Sequence, residues 1–250
     1  MSTTAEVMAA FRERLERRVR HLPPARRLRF GLALRSLERF ANDTRLRVLD
    51  AGAGAGILAL AIARRHPEWT VVAADSREEA LQEGRRDADR EAVQNLRFER
   101  LDLTQPLPGP PFDVVLALEC LEEIEDDEAA VGSFAGALQE GGLLLVHVPE
   151  RDWRPVLRGS DSRWKDEVRH GYSEEQLVAL LERHGLEVVR VIATARGTVR
   201  LAQDLRDRLK NARLALRALA YPPLTAALWL ERLGVTWGPA RALYAEARKR

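Results

Sequence analysis

Residues Val48-Leu49-Asp50-Ala51-Gly52-Ala53-Gly54-Ala55-Gly56 end an apolar run with three glycines at alternate positions, and a helix-forming segment, Ile57 to Arg65, follows at once. A strand, a tight glycine turn and a helix in that order suit a nucleotide-like ligand. Glycine lacks Cβ, tolerates positive φ and lets a ligand lie almost against the main chain. Downstream, Thr70-Val71-Val72-Ala73-Ala74-Asp75 is a second apolar run that ends in a carboxylate, placed to accept hydrogen bonds from both hydroxyls of a ribose. Together the two segments point to a ligand that contains adenosine.

The register of the glycines narrows the ligand. Dinucleotide sites use G-x-G-x-x-G, where a helix amino terminus faces a pyrophosphate. Here the pattern is G-x-G-x-G, and Asp50 lies two residues before the first glycine. An acid at that place repels a pyrophosphate and suits a ligand with a cationic end, such as the amino group and sulfonium of S-adenosylmethionine.

In these features the chain resembles the class I, Rossmann-like S-adenosylmethionine-dependent methyltransferases of the small-molecule type. The resemblance continues through Arg97 to Leu103, Phe112 to Glu119, and Leu138 to Val146, in the family's order. It implies an α/β fold: a three-layer sandwich around a seven-stranded, mostly parallel sheet with the last strand antiparallel. N-terminal helices and a helical insertion before the last strand complete it. It also implies that Gly52, Gly54 and Gly56 bring main chain against the methionine portion, that Asp75 with Ser76 beside it binds the ribose, and that Asp102 with Leu103 approaches the adenine. Asp50 would neutralise the amino end, and Glu119 would line the methionine or acceptor pocket. Plainer roles stand beside these: an ordinary tight turn for the glycines, a helix cap for Asp75, a turn acid for Asp102 and a solvated helix-start acid for Glu119.

Composition sets the outer bounds. The 250 residues fit one α/β domain with an embellishment, and 46% hydrophobic with 31% charged residues reads as soluble and globular. Forty Lys and Arg against 38 Asp and Glu give a net charge of +2, which speaks against a nucleic-acid partner. The single cysteine, Cys120, excludes an internal disulfide and fits a reducing, cytoplasmic compartment. Met1 to Arg20 carries arginines where a signal peptide needs an apolar stretch, and Ala218 to Leu230 is broken by Pro222-Pro223 and too short to span a bilayer.

Along the chain, residues 1–43 read as a helical cap, with helices near Glu6–Leu22 and Ala25–Phe40. Residues 44–195 read as the cofactor-binding core, 196–241 as a helical insertion and 242–250 as the last strand. Strands are expected near Leu46–Asp50, Thr70–Asp75, Leu96–Leu101, Phe112–Leu118, Leu143–Val148 and Leu186–Ala193. Helices are expected near Gly56–His66, Glu78–Val93 and Asp127–Gln139, with a further helix opened by Ser173 in a capping box with Gln176 and closed at His184-Gly185. Asp50, Asp75, Asp102 and Glu119 all fall after strand carboxyl ends, where ligands of such sheets bind.

Methyl transfer from a sulfonium is an in-line displacement that demands positioning and, for a hydroxyl acceptor, a base. His147, His170 and Tyr172 are the candidates, since histidine titrates near working pH. Each also has a bland reading as a satisfied or surface residue. Glu123 stands where the resembled family often carries a histidine before the isoleucine, which argues against histidine catalysis from that place. Cys120 reads as a small buried hydrophobe, and no histidine pair has metal-ligand spacing, so no metal is expected.

In the insertion, Leu205, Leu209, Ala212, Leu216 and Leu219 recur at helical spacing, opposite Arg206, Arg208, Lys210, Arg213 and Arg217. This is a packing helix, or else a lid whose apolar side meets a lipophilic or aromatic acceptor while its basic side makes transient contact with an anionic membrane surface. The expected activity is methyl transfer from S-adenosylmethionine to a small molecule, with lipophilic and glycosylated acceptors among the options. The rivals are a noncatalytic S-adenosylmethionine-binding or interaction protein and an NAD-dependent oxidoreductase.

Overall fold

The computed structural model describes residues 22–40, 45–157, 168–209, 226, 230 and 237–250. The expected leading helix at Glu6–Leu22 falls, but for its last residue, outside them, as does most of the insertion beyond Leu209, with Ala212, Leu216, Leu219 and the idea of a membrane-facing lid.

Pro24–Leu37 forms α1, with prolines at its start where a missing N–H costs nothing, and a short 3₁₀ turn, Glu38–Phe40, extends it. Then come β1 (Arg47–Ala51), α2 (Ile57–Arg65), β2 (Thr70–Asp75), α3 (Glu78–Arg90), β3 (Leu96–Arg100) and β4 (Phe112–Leu118). After a 3₁₀ turn at Leu121–Glu123 follow α4 (Asp127–Ala137), β5 (Leu138–Pro149), α5 (Glu174–Arg183), β6 (Leu186–Thr194), α6 (Gly197–Leu209) and β7 (Ala242–Lys249). The seven strands lie in the order β3-β2-β1-β4-β5-β7-β6. β7 runs antiparallel to both its neighbours, and the other pairings are parallel.

The inner strands are apolar on both faces because helices cover both, and alternate residues divide between two cores. Leu49, Ala51, Val72, Ala74, Val115, Ala117, Leu144 and Val146 pack towards α4 and α5. Val48, Val71, Ala73, Val114, Leu116, Leu143 and Leu145 pack towards α1 and α2. β3, at one edge, carries Arg97, Glu99 and Arg100, which discourage pairing with another chain.

Several boundaries differ from expectation, among them the end of α3 at Arg90 instead of Val93, and the difference is largest where α4 meets β5. The helix expected to run to Gln139 ends at Ala137, because Leu138 turns extended (φ −77°, ψ 144°) to bury beside Phe112, and β5 starts there instead of at Leu143. The capping box at Ser173 and Gln176 is present as read, and the helix stops at His184-Gly185 with Gly185 at φ +74°.

α1 is fastened across the sheet by a buried cluster. Glu246 on β7, fully buried, accepts from Ser36 at 2.5 Å, Arg39 at 2.8 Å and Arg190 at 2.5 Å, and Ser36 also bonds the Tyr244 hydroxyl at 2.8 Å. This anchorage holds the amino-terminal half of α1 over the strand ends.

Candidate active site

Beyond the carboxyl ends of β1, β2 and β4 lie two adjoining cavities of about 580 and 240 Å³ that share Gly52, Arg77, Glu119 and Glu123. The larger is lined by Asp75, Ser76, Asp102, Leu103 and Ile124, and the smaller by Asp50, Gly54, Arg26, Arg29 and Glu122. Of the nine residues read from sequence as cofactor contacts, eight line this crevice. The ninth, Gly56, does not. It starts α2 at φ +65°, and a Cβ there would lie 2.6 Å from the Phe98 ring, so its bareness serves packing.

Gly52 is the close-approach position. Its φ is +71°, and a Cβ would meet that of Cys120 at 2.4 Å. Cys120 is a buried packing partner whose thiol burial pushes well above its ordinary pKa, which keeps it a thiol. Asp75 ends β2 with its carboxylate against the glycine turn, accepting the Gly54 N–H at 2.7 Å and the Arg77 N–H at 3.0 Å. Burial opposes its charge, but these bonds and the Arg77 guanidinium outweigh burial and hold the carboxyl below the usual aspartate range. Asp102, by contrast, is exposed and spends one oxygen on the Thr104 N–H and hydroxyl, an Asx turn.

The smaller cavity is also lined by Asp50, Glu119, Glu122 and Glu123, and the first three are each in a different state. Burial raises the Asp50 pKa to about 7, against the moderating pull of a backbone bond near Ala59 and of Arg29. Glu119 takes φ +61°, a left-handed conformation that costs a non-glycine residue about 1–3 kcal/mol and marks functional sites. The twist aims its carboxylate at His147 Nδ1, 2.7 Å away, and at Arg29, 3.0 Å away. Burial works against ionisation, but Arg29 and His147 prevail and carry this carboxyl down to about 2. Glu122, 2% exposed, has an Oε2 with no hydrogen-bond partner, and burial with Glu119 nearby raises its pKa well above the glutamate range. A buried polar atom left bare costs about 1–3 kcal/mol.

None of the three bases expected from sequence reaches this crevice. His147 lies at the end of β5, but Nδ1 meets Glu119 and Nε2 meets Thr194 Oγ1 at 3.2 Å. Thr194 in turn donates to the Ala242 carbonyl, so both ring nitrogens are engaged by partners within the protein. His170 and Tyr172 line a separate cavity of about 690 Å³ with Asp127, Glu128 and α5. Tyr172 is buried, donates to Asp127 at 2.8 Å and accepts from Arg169 at 2.6 Å, and burial followed by Asp127 raises its pKa. Conversely, sequence reading missed Arg26, Arg29 and Glu122. The first two are three apart on α1, and so on one helix face, and Glu122 is three residues after Glu119.

On α6 the buried side is also not the leucine stripe: Val199, Arg200, Ala202, Gln203 and Asp204 turn inward, and Leu205 and Leu209 are only half-buried. Asp204 caps the Val156 and Leu157 amides at 2.6 and 2.9 Å. Among the described residues no helix is long and apolar enough to cross a membrane, and no group of three metal-binding side chains is present.

Residues 25–191 match the model of the methyltransferase domain family. The chain belongs to that family. Among curated relatives it is 28% identical over 151 residues to a ubiquinone biosynthesis O-methyltransferase of Bradyrhizobium sp. (strain ORS 278), an overlap of 57% of this chain and 58% of that one. The chain thus spans about half the length of the first such relatives. Two solved structures share the methyltransferase fold. One is phosphoethanolamine N-methyltransferase 2 of Haemonchus contortus in complex with S-adenosyl-L-methionine, with TM-score 0.63 at 20% identity over 88% of this chain and 52% of that one. The other is a 4+2 cyclase, SpnF, with TM-score 0.62 at 22% identity over 88% and 80%.

Proposed function

We propose that this chain is a cytoplasmic S-adenosylmethionine-dependent methyltransferase acting on a small-molecule acceptor. The observation that carries the reading is the docking of the Asp75 carboxylate on the Gly54 N–H at 2.7 Å, at the junction of the two cavities, which leaves an acid at ribose height beside a bare glycine turn. The residues present fit the donor: Asp75 and Ser76 for the ribose, Leu103 and Ile124 for the adenine, Gly52 and Gly54 for the methionine chain. Asp50 suits the ammonium of the amino acid end, and Arg26 and Arg29 suit its carboxylate. When bound, the cofactor supplies an electrophilic methyl group on a sulfonium. The protein's part is to bind it, exclude water and hold the acceptor in line. The relatives named for O-methyl transfer support a hydroxyl acceptor, and an unpaired Cys120 suits a reducing compartment.

Calorimetric titration tests the reading. S-adenosylmethionine and S-adenosylhomocysteine are expected to bind and NAD is not. Tight binding of NAD alone overturns it. A second reading, a donor-binding protein without methyl transfer, is favoured by the saturated His147 and by Glu123 at the place where relatives often carry a histidine. Incubating the protein with methyl-labelled donor and a small-molecule extract decides between them, because a labelled product excludes the second.

A further inference from the structure

We infer that Glu122 is the acid–base residue of this site, a carboxyl that takes up the acceptor's proton once a sulfonium shares its cavity. The inference rests on the methyl-donor reading above and adds the residue that performs the proton transfer.

The argument starts from what is uncommitted. Glu119, three residues earlier, has both oxygens engaged, Oε1 by His147 and Oε2 by Arg29. Asp75 is held by Gly54 and Arg77, and Asp102 by Thr104. Glu122 lines the smaller cavity with Asp50, Gly52 and Gly54, it is 2% exposed, and its Oε2 has no partner. Buried polar atoms are nearly always paired, and a bare one on a residue that lines a ligand cavity points to a ligand atom as its partner.

The charges around it explain how such a group can switch. Glu119 and Glu123 face it from its own turn, Asp50 from β1, and Arg26 and Arg29 from α1. Arg29 is paired with Glu119, so without a ligand burial and the neighbouring acids favour the protonated form of Glu122. A sulfonium entering the cavity reverses that balance and favours the carboxylate. In the transfer the acceptor's O–H proton passes to the Glu122 carboxylate, and the oxygen's electron pair forms the bond to the methyl carbon. The carbon–sulfur bond breaks with its electrons left on sulfur, giving the methyl ether, neutral thioether and a protonated Glu122. Charge and atoms balance without a further reactant.

The test compares S-adenosylmethionine with S-adenosylhomocysteine by calorimetry of the full chain at pH 7 in buffers of different ionisation enthalpy. Both ligands carry the same amino and carboxylate groups, so the protons these exchange at Asp50 cancel in the difference, and measuring it in an Asp50→Asn background removes any proton the sulfonium itself draws from Asp50. The difference reports the sulfonium alone. The sulfonium ligand is expected to release up to one more proton than the thioether, and Glu122→Gln, which mimics the protonated side chain, is expected to abolish that difference while donor affinity stays within about threefold. A difference that survives in Glu122→Gln, or that is absent from the wild type, overturns the assignment. So does a tenfold loss of donor affinity, which would make Glu122 a donor anchor. In the unsubstituted protein, the Glu122 carboxyl ¹³C resonance should move towards its ionised position with S-adenosylmethionine only, a result independent of how the variant folds. If neither ligand binds the wild type, the methyl-donor reading fails and takes this assignment with it. Donor binding without the proton difference fails this assignment alone. Once an acceptor is in hand, Glu122→Gln should slow turnover by about 100- to 10,000-fold.

Discussion

The two walls of the crevice are built on different principles. On the glycine side, β1, its turn and the end of β2 meet through neighbouring parallel strands, and the decisive bond, Gly54 to Asp75, joins residues 21 apart. On the facing side, α1 is held to β7 by Ser36 and Glu246, 210 apart, and reaches the site through Arg29 on Glu119. The first wall is local and rigid. The second is an assembly of distant charges, and its hold on the ligand depends on ion pairs that pH and single substitutions can release. The comparison separates binding of the nucleoside, which the first wall supplies, from charge management around the reacting end, which falls to the second.

The sharpest way to break the first wall is Gly52→Ala. The new Cβ would press on Cys120 and must take positive φ. Overpacking and a left-handed alanine together cost about 3–4 kcal/mol, a fall in Tm of roughly 6–16 °C. Donor binding should be lost with it, and calorimetry beside a thermal melt reads both. Retained affinity would mean that the ligand does not approach the main chain here.

The second wall is tested by Glu246→Ala, expected to cost about 2–3 kcal/mol because charge-assisted bonds to a buried carboxylate go with it, while Arg39 and Arg190, partly exposed, regain water. Its pH signature has a definite sign. Burial resists ionisation of Glu246, but Arg190, Ser36 and Arg39 prevail and lower its native pKa. The stability it lends is therefore present above the ordinary glutamate range and lost as pH falls through the lower native value. Melts from pH 7 down to pH 3 should converge for wild type and Glu246→Gln. Curves that stay parallel would remove Glu246 from the fastening of α1.

The same contrast explains what could be read in the chain. The strands from Arg47 to Pro149 and the turn at Gly52 announce themselves through alternation, glycine and a closing acid, all local signals. Eight of nine expected cofactor contacts face the crevice for that reason. The expected bases lie away from the crevice because His147, which looks free in sequence, is met by Glu119 just after β4 and by Thr194 on β6. Tyr172 looks like a loop aromatic, yet Asp127 and Arg169 draw it into the opposite core. Glu122 reads as one acid in an acidic turn, and only the fold, which puts it in the wall of one cavity with Arg26 and Arg29 of α1, sets it apart. On α6, spacing picked the leucines, but Asp204 turns inward because two amides of the Trp153 to Leu157 loop need an acceptor.

Asp50 links the walls through pH. Its native pKa near 7 stands above the unfolded value, so the folded state holds the extra proton, and stability declines as pH rises from about 4 to 7. Asp50→Asn removes that decline and should make the ligand-free protein more stable than wild type at pH 8. A cationic ligand end favours the ionised form. Wild-type affinity for S-adenosylhomocysteine, which carries the amino end but not the sulfonium that acts on Glu122, should therefore rise about tenfold between pH 6 and pH 8, a single-proton linkage that Asp50→Asn should flatten. An unflattened profile would place the titrating group elsewhere.

The smallest expected effect sharpens the comparison most, since it concerns a residue that sequence puts at the site and packing puts outside it. In Tyr172→Phe the hydroxyl bonds to Asp127 and from Arg169 disappear, but those two side chains remain paired with each other, so no buried charge is stranded. The ring keeps its place in the core against the α4 and α5 side of the sheet. Both bonds are charge-assisted, but the ion pair they leave behind persists, so the loss stays at the low end for such bonds, about 1.5 kcal/mol, or a fall in Tm of roughly 3–6 °C. Because Tyr172 lines the separate cavity with His170, affinity for S-adenosylmethionine should not change at all. A folded Tyr172→Phe protein that binds the donor tenfold more weakly would connect the two cavities energetically, and the division between a local nucleoside wall and a long-range charged wall would have to include a third face.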